Sequence, residues 1–239
     1  MENALYLVAT PIGNLADISY RAVHILNSVD LIAAEDTRTS SVLLGHYNIK
    51  TTTQAYHSHN IVTQTSKLVD KLKSGMSVAL ISDAGTPGIS DPAYQLVNAC
   101  IENQIRVIPI PGAAAFISAL IASGLQTQSF VFEGFLPHKK GRQSKILALK
   151  EEERTIVLYE SPHRIHKTLQ QLAESFGDRR CVLARELTKK FEEFIHGTLT
   201  ELAERFQTQS VKGELVLLVE GNIKRKNKIR ENKYKNDIE

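Results

Sequence analysis

Residues Ser82–Pro92, SDAGTPGISDP, decide how this chain is read. They follow Ser77–Ile81 (SVALI), an apolar run that predicts a buried strand, and precede Ala93–Glu102, whose apolar spacing predicts a helix. A strand-to-helix connection usually takes about 2–6 residues. Eleven residues holding two glycines and two prolines exceed that. Such a loop is stiff in places and elsewhere free to present backbone N–H and C=O groups to a ligand. In open α/β sheets ligands bind beyond the carboxyl ends of the strands, where this loop stands. Asp83 is placed to accept from a ribose hydroxyl or an ammonium group, while Ser90 or Asp91 would equally cap a plain connector.

Working outward, the first half alternates short apolar runs with amphipathic segments. Strands are predicted at Ala4–Ala9, Leu31–Ala34 and Arg106–Ile110, and helices from Asp17, through Val62–Leu72 and over Ala93–Glu102. Asp17 is expected to N-cap the first helix, whose buried face would be Ile18, Ala22, Ile25 and Leu26. This alternation predicts a mostly parallel sheet with helices on its faces. After Gly112 the texture changes. Ala113–Ala122, Arg142–Glu152 and Arg164–Phe176 read as helices. Phe130–Phe135, Thr155–Tyr159, Cys181–Glu186, Phe191–His196 and Glu214–Val219 read as closely spaced strands, which predicts a mixed sheet. The chain is therefore expected to be α/β in class, with an N-terminal domain over 1–112, a C-terminal domain over 113–221, and a basic tail over 222–239.

Four other strand ends carry unusual loops. Thr10–Asn14 (TPIGN) suits either a tight βα turn or close ligand approach at Gly13, and it is not the GxGxxG dinucleotide fingerprint. Glu35-Asp36-Thr37-Arg38 puts charge at the end of an apolar strand, where it must meet solvent, a ligand or a helix it caps. Pro111–Ala115 (PGAAA) opens a helix with small residues, which fits a flat ring lying on the helix start or simply close helix–sheet packing. Arg164, Arg185, Lys189 and Lys212, in the loops around ESPHR, RELTKK and KGE, are candidate phosphate contacts or ordinary surface charges. His57 and His59 form an HxH pair with no obvious third ligand, so a metal is not expected.

Composition narrows the class. The 239 residues are 42% hydrophobic and 23% charged, an ordinary globular balance. Cys100 and Cys181 belong to no metal-ligand pattern and are expected to be buried, reduced thiols of a cytoplasmic protein. The longest apolar stretch, Ala113–Leu125, is too short and too interrupted to span a membrane. The formal charge of +3 is uneven: 222–239 holds seven Lys/Arg and three Asp/Glu, so the basic character lies in the tail, where it would assist nucleic-acid binding or stay solvated. The absence of Trp and the 6% aromatic content argue against gripping single strands mainly by base stacking.

In this order and spacing, ATPIGN (9–14), EDTR (35–38), SDAGTPGISDP (82–92), PGAAA (111–115), ESPHR (160–164), RELTK (185–189) and KGE (212–214) resemble one family. It is the bacterial ribosomal RNA small subunit methyltransferase I group of the tetrapyrrole methylase superfamily, and the likeness runs from about Leu5 to Gly221. The resemblance implies two α/β domains with S-adenosyl-L-methionine in the cleft between them, in a homodimer. It also implies methyl transfer to the ribose 2′-hydroxyl of a decoding-centre cytidine of 16S rRNA, in the small ribosomal subunit and without a metal. Carried over by motif, cofactor contacts fall on Ile12, Ile81, Ser82, Asp83, Thr86, Ala114, Ala115, Glu160 and Leu187. RNA contacts fall on Asn14, Arg38, His57, His59, Arg164 and Lys189, with Asp36 and Glu35 as candidates for the base that removes the hydroxyl proton. Ala9, and Ala93 after Asp91-Pro92, stand where the family usually has glycine. Two rivals are a relative acting on a corrinoid or porphyrin, and an RNA-binding protein without catalysis.

Overall fold

The computed structural model describes residues 1–222. Nearly all of the basic tail on which assisted RNA binding was expected lies outside the described residues. The first sheet is built from β1 (Leu5–Val8), β2 (Leu31–Ala34), β3 (Thr53–Ala55), β4 (Val78–Ile81) and β5 (Val107–Ile110), in the order β3-β2-β4-β1-β5. Every pairing in it is parallel. Helices α1 (Tyr20–Ser28), α2 (Thr37–His46), α3 (Ile61–Lys73) and α4 (Ala93–Glu102) connect the strands.

The strands have apolar residues on both faces, and the period of two sorts them. Tyr6, Val8 and Ile32 pack with Ala22, Ile25 and Leu26 of α1. Leu5, Leu31 and Ala33 pack with Leu68 and Leu72 of α3 and Leu96 of α4. The first helix departs from expectation. Leu15–Asp17 forms a separate 3-10 turn, and the cap of α1 is Ser19, whose side chain accepts from Ala22 N. Asp17 is thus the end of one short element and not the start of the next. Strand β3 had no sequence signal, because TQA carries no apolar alternation; it is a three-residue edge strand held by β2 alone.

The second sheet is mixed, in the order β6-β7-β10-β8-β9, from β6 (Phe130–Phe135), β7 (Thr155–Glu160), β8 (Arg180–Arg185), β9 (Glu193–Thr198) and β10 (Leu215–Val219). β6 runs parallel to β7, and the other pairings are antiparallel. One face carries α6 (Arg142–Leu149), α7 (Ile165–Phe176) and α8 (Leu199–Thr208) over Leu158, Leu183, Ile195 and Leu217. Helix α8 was not expected, although Thr198 and Glu201 form a capping box at its start. The other face, with Val157, Val182, Val216 and Leu218, packs against α5 (Ala115–Ala122) and reaches Ile12 at the end of β1. That apolar layer joins the two sheets and leaves the carboxyl ends of β1 and β4 facing the ends of β7 and β8.

Candidate functional site

Backbone pairing shapes the wall on the first-sheet side. Thr10 and Gly85 exchange two backbone hydrogen bonds, 2.8 Å from Thr10 N to Gly85 O and 3.1 Å in return. This zips the loops after β1 and β4 together. The Thr10 hydroxyl donates to Ser82 O at 3.2 Å, and the buried Ser82 hydroxyl donates to Gly85 O at 3.2 Å. Gly85 sits at φ +86°, and a side chain there would press on Ile12. Thr86 donates to Ala113 O at 2.9 Å, which ties the loop to the start of α5. From the second sheet, a bulge between Phe132 and Gly134 carries Gly134 up against Ser90.

These contacts enclose a cavity of about 360 Å³, within the range of small-molecule sites. Ile12, Thr86, Ala114, Ala115, Glu160 and Leu187, six of the residues that the resemblance offered as cofactor contacts, line it. Ile81, Ser82 and Asp83 do not. Ile81 and Ser82 lie behind the loop, against Glu35, Tyr56 and Asp91. Asp83 braces the neighbouring strand end: its Oδ1 accepts from Asp36 N at 3.0 Å, and its own N–H points at Glu35 Oε2 at 3.4 Å. The structure adds Ile89, Phe135, Tyr159, Gly213, Glu214 and Val216 to the wall. KGE had been read for Lys212 alone, as a candidate phosphate contact or an ordinary surface charge, and nothing local marked Tyr159, whose hydroxyl accepts from Phe116 N at 3.3 Å. Backbone strain gathers here too: Ser90, Glu186 and the β-branched Thr188 all have φ between 50° and 67°.

Several charged residues face other partners than those expected. Glu160 is buried, and its carboxylate accepts from Ser161 N at 2.9 Å and from the Thr168 hydroxyl at 2.6 Å. Arg164 Nε lies 3.1 Å from it and the buried Arg142 lies 3.9 Å away. The Glu160 carboxylate is therefore occupied inside the protein, and only its backbone is left to meet a cavity ligand. Arg164 also donates to Leu136 O at 2.6 Å, so its guanidinium is engaged by groups of the second sheet and its flanking loop. Lys189 pairs with Glu186 at 2.9 Å and Glu214 at 3.2 Å. Its stem lies where a Gly13 side chain would be, so Gly13 is required for close approach.

The two candidate bases differ. The Asp36 carboxylate caps α2 through Arg38 N at 2.8 Å and pairs with the Arg38 guanidinium, which holds its pKa down at about 2. Burial pushes the Glu35 carboxyl up, reinforced by the charges of Asp83 and Asp91. Neither lines the cavity; both stand at the end of β2, beside the β4 loop. Asn14 caps the 3-10 turn through Ala16 N at 3.1 Å, and Arg38 is exposed. His57 Nδ1 is buried without a hydrogen-bond partner among the described residues, 5.9 Å separates the His57 and His59 ring centroids, and His59 is exposed. Among the described residues no cluster of three or more His, Cys, Asp or Glu could hold a metal ion, and no helix is long and apolar enough to cross a membrane.

Comparison with known proteins gives one consistent picture. The family model for tetrapyrrole (corrin/porphyrin) methylases matches residues 4–203. Relatives described as ribosomal RNA small subunit methyltransferase I are 50% identical over 222 residues in Halalkalibacterium halodurans and 54% identical over 219 residues in Synechocystis. These alignments cover 92% and 91% of this chain, and 77% and 78% of the relatives. Among solved structures, a diphthine synthase superposes with a TM-score of 0.71 at 15% identity, covering 91% of this chain and 89% of the other. A uroporphyrin-III C-methyltransferase from Thermus thermophilus, complexed with S-adenosyl homocysteine, superposes at 0.65 with 16% identity, covering 92% and 97%. At such identities the structural likeness concerns the fold.

Proposed function

The chain belongs to the tetrapyrrole (corrin/porphyrin) methylases and, within them, to the ribosomal RNA small subunit methyltransferase I family; from that premise we propose that it uses S-adenosyl-L-methionine to methylate the ribose 2′-hydroxyl of a decoding-centre cytidine in 16S rRNA of the small ribosomal subunit. What carries this reading is the cavity between the sheets, walled by six of the seven segments whose order marks the family, all but EDTR. A cytoplasmic location and a homodimeric assembly go with it.

The residues present fit the cofactor. The cavity is apolar along Ile12, Ala114, Ala115, Leu187 and Val216, where a flat ring is accommodated, and it offers the Thr86 and Ser90 segment and Glu214 for polar contact. When bound, the cofactor supplies an electrophilic methyl group on a sulfonium. We assign direct contacts to Ile12, Thr86, Ala114, Ala115, Leu187 and the Glu160 backbone. Ile81, Ser82 and Asp83 hold the loop from behind. Aligning the nucleophile and the methyl is the main contribution of such a cleft.

We place proton acceptance on Glu35. Asp36, fixed by Arg38, remains charged throughout and is a weak acceptor at a pKa of about 2. A base must be ionised to act, so the rate is full above the Glu35 pKa and falls as pH drops through it. Because burial raises that pKa, the loss should begin above the ~4.3 of an ordinary glutamate. Glu35→Gln should lower the rate and flatten this limb. An unchanged profile in that variant would remove Glu35 from the mechanism. For the RNA we assign Asn14, Arg38, His57 and His59, and we withdraw Arg164 and Lys189, whose charges are already paired.

The reading is tested by incubating the protein with methyl-labelled S-adenosylmethionine and small ribosomal subunits that lack the modification. Label on one decoding-centre cytidine, in an alkali-resistant linkage, is the expected result. Cofactor binding without label in RNA would overturn the substrate assignment, and no cofactor binding would overturn both parts.

A further inference from the structure

A second cavity, of about 300 Å³, lies at the same edge of the second sheet. It is lined by Arg185 at the end of β8, Glu193 at the start of β9, Arg205 in α8 and Lys212, over a floor that includes Ile195 and Phe206. Two short segments wall both cavities. Arg185 faces the second and Leu187 the first; Ser210–Lys212 face the second while Gly213 and Glu214 face the first. The two spaces are thus neighbours across a thin partition.

Three cations face one carboxylate in this cavity. Glu193 accepts from Arg185 Nη1 at 3.1 Å and lies 3.9 Å from Arg205 Nη2, so one carboxylate stands beside two guanidinium groups and cannot neutralise both. Arg185 Nε is buried and has no hydrogen-bond partner among the described residues. Arg205 Nε is steadied by Gln209 at 3.2 Å. Lys212 is exposed at the mouth. Planar donors held in fixed directions, with a mobile ammonium beside them, are suited to phosphate oxygens. Elsewhere around the cleft, Arg164 is paired with the buried Glu160, and Lys189 with two carboxylates, Glu186 and Glu214.

We propose that Arg185, Arg205 and Lys212 form a phosphate-binding subsite that holds the RNA backbone beside the methyl-transfer cleft. The proposal rests on the RNA-methyltransferase reading above and deepens it. The subsite reads no sequence; it fixes where the strand lies, so that the target ribose falls at the first cavity.

The test uses the full chain carrying Arg205→Ala and Lys212→Ala together, both at exposed positions. Binding to small ribosomal subunits lacking the modification is measured over a series of salt concentrations. A control carries Lys67→Ala and Lys73→Ala, exposed positions of α3 with the same charge change. The double variant should bind about tenfold more weakly, and its log affinity against log salt should lose roughly two contacts' worth of slope. The α3 control should stay near wild type, and cofactor affinity by calorimetry should be the same in all three. If the double variant matches the control in affinity and slope while the wild type methylates the RNA, the subsite is refuted and the enzymatic reading stands. If the wild type itself neither binds nor methylates the subunit, the underlying reading fails and the subsite with it.

Discussion

Glu160→Ala is expected to destabilise the protein by about 3–5 kcal/mol, because it leaves Arg142 buried without its carboxylate. Arg142 is 6% exposed and Glu160 3%. The guanidinium would keep its bonds to Gln171, Pro137 O and Thr168, but its charge would have no counterpart. Thr168 would lose the acceptor it now has at 2.6 Å. A loss of that size is a large share of the roughly 5–15 kcal/mol that holds a typical domain. Denaturant unfolding followed by circular dichroism reads it directly. Replacing both ends of the pair, with Glu160→Met and Arg142→Met, should recover part of the loss, since the fully buried charge is then gone and only the less buried Arg164 is left without its carboxylate. A single variant within about 0.5 kcal/mol of wild type would show that the network does not hold this part of the second sheet.

Ala115→Leu is expected to weaken S-adenosylmethionine binding while leaving the fold intact. Ala115 is partly exposed, starts α5 and lines the cavity, and leucine is a good helix former, so the added carbons enter the open space. Crowding a filled site by such an amount costs about 1–3 kcal/mol, which is roughly 5- to 150-fold in affinity. Calorimetric titration should show the weaker binding, with thermal unfolding of the free protein unchanged. Equal affinity would mean that the cofactor does not lie against the start of α5. Ala114 is a poorer probe, because it is packed in the layer between the sheets and a larger residue there would disturb the fold as well.

The two sheets were legible because their strands are written in apolar residues. Leu31–Ala34, Phe130–Phe135 and Ala93–Glu102 have the bounds expected of them. Thr53–Ala55 was illegible because an edge strand with one neighbour needs no apolar pattern. Helix α8 is marked in the sequence by Thr198 and Glu201, but the cap follows directly on a strand and has no loop to set it apart. The loops that wall the cavity announced themselves by glycine and proline. Which side chains reach it did not. Ser82 and Asp83 sit in the most informative stretch of the sequence, yet one is turned to Gly85 O and the other to Asp36 N.

By itself the sequence determined the class of the fold, the parallel and mixed sheets, the loops at the strand ends and the family. The fold class, the sheets and the loops follow from local patterns of apolar residues, glycine and proline, which act within a few positions of themselves; the family follows from the resemblance carried by the ordered motifs. Only the tertiary structure decided which charges are free. Arg142 meets Glu160, Lys189 meets Glu214, and Arg185 and Arg205 share Glu193. A charge taken from water must find its partner wherever the chain brings one, so the pairing of Arg164 and Lys189 with carboxylates, and the gathering of Arg185, Arg205 and Lys212 around one cavity, are written in no single stretch of sequence.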